Sequence, residues 1–223
     1  MDAIHISAAN NPADAHIILL PGRGDHAEDY VKNGFTKILQ QRYPHIGITA
    51  ADAHMGYYRE QQLDIRLQQD IIQPAQSAGH KKFILCGISL GGLGALIYSK
   101  NHPQDISEIW LIAPFLGEDN IIAEINAAGG LMEWQPQNIA ENDWQRQLWL
   151  WIKQWHIEGQ TIPIYLAYGD KDYLHEGHVL LSSILPADKI VHIPGKHQWN
   201  TWRQLWPLLL NKVDQHSANL KKH

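Results

Sequence analysis

The chain has 223 residues, with 18 Lys and Arg against 23 Asp and Glu, a formal net charge of −5, one cysteine and nine tryptophans. That length suits one α/β domain better than two, and a charge spread without basic blocks argues against a nucleic-acid partner. A single cysteine excludes an internal disulfide. Apolar runs such as 17–20 and 208–210 are far shorter than the roughly 20 residues a spanning helix needs, so no membrane partner is expected.

Taken in order, Met1-Asp2-Ala3-Ile4-His5 carries neither a basic region nor an apolar core of a cleaved signal, and a cytoplasmic protein is expected. Residues 4–8 read as a short first strand at an edge, followed by the turn signal Asn10-Asn11-Pro12. His16-Ile17-Ile18-Leu19-Leu20 reads as a strand buried on both faces, as in a parallel sheet. It ends at the bend Pro21-Gly22-Arg23-Gly24-Asp25, which leads to a helix over 35–43. Residues 46–51 form the next strand, and a polar-aromatic loop with His54, Tyr57 and Tyr58 follows. Leu63, Leu67, Ile71, Ala75 and Ala78 recur about every four residues, one face of a helix that Pro74 should kink or break.

The stretch Lys82-Phe83-Ile84-Leu85-Cys86-Gly87-Ile88-Ser89-Leu90-Gly91-Gly92 organises the rest. An apolar strand stops at a glycine, a serine occupies a tight bend, and further glycines open a helix. Gly87-x-Ser89-x-Gly91 is the pattern of a nucleophile elbow, in which small neighbours let the serine sit in a strained turn at the top of a sheet. Cys86, within that strand, should behave as a small buried hydrophobe.

Residues 106–115 read as a further buried strand, and the alternation of strands and helices argues a mostly parallel sheet with helices on both faces, an α/β fold. The interval 116–161 breaks the rhythm. It holds Trp134, Trp144, Trp149, Trp151 and Trp155, with Trp144, Leu148, Trp151, Ile152 and Trp155 on one helical stripe, so it reads as a tryptophan-rich helical insertion over one end of the sheet within a single domain spanning 1–223. A strand over 162–168 then ends at Gly169-Asp170-Lys171-Asp172, a helix covers 173–185, and a strand over 189–193 leads into Pro194-Gly195-Lys196-His197. Trp202, Leu205, Trp206, Leu209 and Val213 mark a closing amphipathic helix, and the tail from His216 should fray.

A serine hydroxyl needs a base within hydrogen-bond reach and a third group to fix that base in one tautomer. The loops after the late strands offer Asp170 or Asp172 and then His197, all at the sheet edge where Ser89 emerges, and the order Ser, Asp, His is the one an elbow of this kind implies. His192, inside the last strand, is the rival histidine and reads better as a packed side chain. The amide of Leu90, at the start of a helix, could hold a developing oxyanion. Of the fourteen histidines, His175 and His178 lie three apart; with no cysteine or carboxylate cluster to complete a metal set, they read as surface residues and no metal is expected.

Elbow, acid loop, histidine loop and closing helix together resemble the α/β-hydrolase superfamily over essentially the whole length. Gly22-x-Gly24-Asp25 with Glu28 and Asp29 resembles small carboxylesterase and acyl-thioesterase-like serine hydrolases, although proline precedes Gly22 where those often carry histidine. The resemblance implies Asp172 as the acid, Ser89 as nucleophile, His197 as base and the amide of Arg23 as a second oxyanion donor. It also implies that 116–161 is a small cap and that the partner is a small-molecule ester or thioester, with no cofactor. The same residues leave open a C–C hydrolase or lyase and a non-catalytic binding protein. Nothing in the sequence sets an oligomeric state.

Overall fold

The computed structural model describes residues 1–9, 15–159, 161–217 and 220. The turn expected at Asn10-Asn11-Pro12 lies outside them. In chain order the elements are β1 (Ala3–Ile6), β2 (Ala15–Leu20), α1 (Ala27–Lys32), α2 (Phe35–Arg42), β3 (Gly47–Ala51), α3 (Met55–Arg59), α4 (Leu63–Leu67) and α5 (Gln73–Ser77). Then come β4 (Lys82–Ile88), α6 (Leu90–Asn101), β5 (Ile106–Ile112), α7 (Asp119–Ala127), α8 (Trp144–Ile157), β6 (Ile164–Gly169), α9 (His175–Ser182), β7 (Ile190–Ile193) and α10 (Trp199–His216).

The strands form one sheet in the order β1-β3-β2-β4-β5-β6-β7, with β1 antiparallel at the edge and the others parallel. Because side chains alternate along a strand, each central strand feeds two cores. Ile18 and Leu20 of β2, with Phe83 and Leu85 of β4, face the core formed with α4, α6, α7, α8 and α9. Ile17 and Leu19, with Ile84 and Cys86, face the core formed with α1, α2 and α10. This two-sided burial is why the strands read as unbroken apolar runs, and Cys86 is indeed buried.

Several expectations change in detail. Residues 113–115 leave β5 as loop, and α1, only six residues long, escaped notice because so short a helix shows barely one turn of apolar period. Between α4 and α5 the helix continues as a π-turn over Gln68–Ile72 rather than breaking. Pro74 lacks an N–H and its ring crowds the carbonyl of the preceding turn, and a wider turn ahead of it relieves both problems. The expected fraying beyond His216 is not seen where the tail is described: Ser217 is buried and donates to Glu108, and Leu220 packs into the second core.

The interval after β5 is anchored by its own indoles. Trp149 donates to the Leu116 carbonyl at 2.8 Å, Trp155 to the Ile162 carbonyl at 3.0 Å and Trp134 to Glu124 at 2.9 Å. Trp149 and Trp155 thereby tie α8 to the exit of β5 and the entry of β6, Trp134 ties the segment before α8 to α7, and all three are core residues. The buried face of α8 is Leu148, Trp149, Ile152 and Trp155, with Trp144 partly exposed and Trp151 half-buried, so the apolar stripe is rotated from the one expected.

Candidate active site

Ser89 sits between β4 and α6 with φ 51° and ψ −115°, a backbone conformation that costs a non-glycine residue about 1–3 kcal/mol. The surroundings enforce it. A Cβ on Gly87 would collide with the backbone of Gly91, and one on Gly91 would collide with the carbonyl of Leu20, so both positions require glycine for close approach. The Ser89 amide donates to the Ile112 carbonyl at 3.0 Å and its carbonyl accepts from the Phe115 amide at 2.9 Å, which pins the bend to the end of β5.

The loops after β6 and β7 are bound to each other before either meets the serine. The Asp170 amide donates to the Ile193 carbonyl at 2.9 Å and the Lys171 amide to the Gly195 carbonyl at 2.8 Å. This backbone pairing sets Asp172 and His197 side by side. Asp172 is fully buried at its side chain, and its Oδ2 and Oδ1 lie 2.8 and 3.0 Å from His197 Nδ1. Its Oδ1 also accepts from the Leu174 amide at 2.9 Å. A carboxylate can only accept here, so the imidazole proton belongs on Nδ1 and Nε2 is left as an acceptor. Nε2 stands 2.9 Å from Ser89 Oγ, whose hydroxyl donates to it. Edge-on contact with Trp202, ring centres 5.0 Å apart, and Tyr173 at 4.7 Å hold the imidazole from two sides.

The two rivals lie elsewhere, together. His192 Nδ1 and Asp170 Oδ1 are 2.9 Å apart on the surface, and both side chains are substantially exposed.

The bend after β2 lies against the elbow. A Cβ on Gly22 would stand 3.5 Å from Ser89 Cβ and 2.8 Å from Asp25 Oδ2, and the Asp25 amide donates back to the Gly22 carbonyl at 3.1 Å. Among the described residues, neither the Arg23 nor the Leu90 amide has a hydrogen-bond partner. Asp25 accepts from the Trp199 indole at 3.1 Å, joining this bend to the first turn of α10. Burial raises the Asp25 carboxyl above the usual range, against the lowering effect of the Trp199 hydrogen bond. No local pattern signals this link, which needs residues 174 apart to meet.

His178 corrects the surface reading. It is fully buried, and its Nε2–H donates to the Pro114 carbonyl at 3.0 Å, close behind the elbow. Its Nδ1 is buried without a partner, and burial lowers the imidazole to about 4, so it is neutral at ordinary pH. Among the described residues, no group of three or more His, Cys, Asp or Glu is placed to hold a metal ion. No described helix is long and apolar enough to cross a membrane.

A family model described as serine aminopeptidase, S33 (Hydrolase_4) matches residues 11–148, more than half of the chain. That stretch includes the bend and Ser89 and ends before Asp172 and His197. No curated protein matches the sequence. Among solved structures, the substrate-bound fluorophosphonate-binding serine hydrolase F of Staphylococcus aureus is similar with a TM-score of 0.68 at 14% identity, covering 95% of this chain and 91% of that one. The monoacylglycerol lipase of Paleococcus ferrophilus (TM-score 0.58, 17% identity, 96% and 99% covered) and Est1E from Butyrivibrio proteoclasticus (0.58, 16%, 95% and 94%) share the fold. The chain belongs to the serine aminopeptidase, S33 family and has the α/β-hydrolase fold.

Proposed function

We propose that the protein is a serine hydrolase that cleaves a carboxylic ester or thioester through an acyl-enzyme on Ser89. The observation that carries this reading is the unbroken line from Ser89 Oγ to His197 Nε2 at 2.9 Å and from His197 Nδ1 to Asp172 Oδ2 at 2.8 Å. Ser89 Oγ attacks the carbonyl carbon as its proton passes to His197 Nε2, and the buried carboxylate of Asp172 steadies the imidazolium that results. The amides of Leu90 and Arg23 receive the negative oxygen, each such donor being worth about 3–4 kcal/mol of barrier. When the tetrahedral centre collapses, the bond to the leaving oxygen or sulfur breaks and His197 returns the proton to it. Water, deprotonated by His197, then attacks the acyl carbon, releasing the carboxylic acid and restoring the Ser89 hydroxyl.

Residues 116–161 act in this reading as a small cap on the acyl side. Phe115, whose amide is bonded to the Ser89 carbonyl, packs against Trp144 with ring centres 6.1 Å apart and forms its aromatic border. The solved serine hydrolase, lipase and esterase of similar fold lend support to ester chemistry.

A fluorophosphonate probe should label the protein at Ser89, and Ser89→Ala should abolish both the label and the hydrolysis of short p-nitrophenyl esters. Labelling of Ser89→Ala at the wild-type rate would refute the assignment.

A further inference from the structure

Three loops build the site, and each carries an exposed cation: Arg23 after β2, Lys171 after β6 and Lys196 after β7. Among the described residues none of the three is in an ion pair. The carboxylates on the same loops take their hydrogen bonds from other groups. Asp25 accepts from Trp199, Asp170 pairs with His192, and Asp172 is enclosed by His197 and the Leu174 amide. The exposed acids Glu28 and Glu176 lie in the first turns of α1 and α9, where helix ends favour negative charge. The three cations thus stand beside as many carboxylates on these loops, yet among the described residues none of the three is drawn into an ion pair with them.

Arg23 is the best placed of the three. Its bend touches Ser89 through Gly22, and its side chain is exposed. Tyr173 is 74% exposed, with its ring centre 4.7 Å from that of His197. The loop of Arg23 lies against Ser89 and that of Tyr173 against His197, so the two loops border the serine–histidine pair. A guanidinium recognises a carboxylate through two parallel hydrogen bonds.

Resting on the serine hydrolase reading, we infer that the substrate is an ester or thioester bearing a free carboxylate, which the Arg23 side chain binds at the mouth while the scissile carbonyl sits at Ser89. Binding is the step affected, so the preference appears in KM more than in kcat.

The test compares matched pairs by pH-stat at low ionic strength: monoethyl adipate against ethyl hexanoate, with the carboxylate on the acyl side, and 4-acetoxybutyrate against butyl acetate, with it on the alcohol side. At least one carboxylate ester should exceed its neutral isostere in kcat/KM by tenfold or more, and the ratio should shrink as salt screens the charge. Arg23→Gln should bring that ratio near one, Arg23→Lys should restore part of it, and Lys37→Gln on α2 should leave it as in the wild type. Every Arg23 variant keeps the backbone amide and each ratio compares two esters in one protein, so effects on the oxyanion site cancel. Ratios at or below one for both pairs, failure to turn over either carboxylate ester, or a preference that survives Arg23→Gln overturns the inference. If Ser89 is still labelled by fluorophosphonate and neutral esters are hydrolysed, only the inference falls; if none of the four esters reacts and Ser89 is not labelled, the hydrolase reading falls with it.

Discussion

Asp170 and Asp172 stand on one loop, and their surroundings separate them. Asp172 is buried against His197 Nδ1, whereas Asp170 faces solvent and holds His192. Asp172→Asn keeps the shape but would present an amide that can stabilise the wrong imidazole tautomer, and kcat should fall by about 10⁴. Asp170→Asn removes only an exposed pair, the kind worth about 0–1 kcal/mol, and kcat should stay within about twofold. Kinetics of the two variants on one p-nitrophenyl ester decide the matter, and the reverse ranking would move the acid to Asp170. Ser89 was legible in the sequence because its constraint is local: glycines two positions away on either side. For the acid, Asp172 came only from the family resemblance, because spacing alone leaves the two aspartates of Gly169-Asp170-Lys171-Asp172 alike until the Lys171 amide meets the Gly195 carbonyl across 24 residues of chain.

The strands were legible for a similar reason, since burial on both faces writes itself into five or six consecutive apolar residues. The helices were less so. In α8 the residues at 144, 148, 151, 152 and 155 keep helical spacing, yet the face that packs is 148, 149, 152 and 155. What rotates it is the Trp149 indole, which reaches the Leu116 carbonyl and fills the core between α8 and the sheet. Trp149→Ala should therefore cost about 3–5 kcal/mol from the cavity and the orphaned carbonyl. Trp144→Ala, 38% exposed, should cost at most about 1 kcal/mol while raising KM for longer acyl chains if Trp144 borders the acyl site. Urea unfolding of both variants tests the first contrast. Equal losses of stability would place the structural face of α8 where the spacing alone had put it.

Across the whole molecule, two histidines kept neutral by burial make folding sensitive to acid. Burial lowers His16 to about 3, helped by repulsion from His80 and His5, and burial lowers His178 to about 4, with His197 and His175 opposing its charge while Asp172 and the Pro114 carbonyl favour it. The unfolded chain takes up a proton on each near pH 6.5, whereas the folded chain refuses it until pH 4 or 3. Between those limits the unfolded state binds more protons, so stability present above pH 6.5 is lost as the pH falls, by about 2 kcal/mol per histidine at pH 5. The exposed His26, raised by its hydrogen bond to Asp52, works in the opposite sense. Asp143 and Glu124, lowered chiefly by hydrogen bonds from Arg146, lose their contribution only as the pH falls through the carboxylate range. Against a total of about 5–15 kcal/mol, the two buried histidines should dominate between pH 7.5 and 5. Urea midpoints of the wild type should fall steeply across that interval. In His16→Gln/His178→Gln the amide of residue 178 can still donate to the Pro114 carbonyl, and the decline should be smaller by about 4 kcal/mol even if the variant starts from a lower stability at pH 7.5. A decline in the double variant as steep as that of the wild type would show that other groups carry the acid sensitivity.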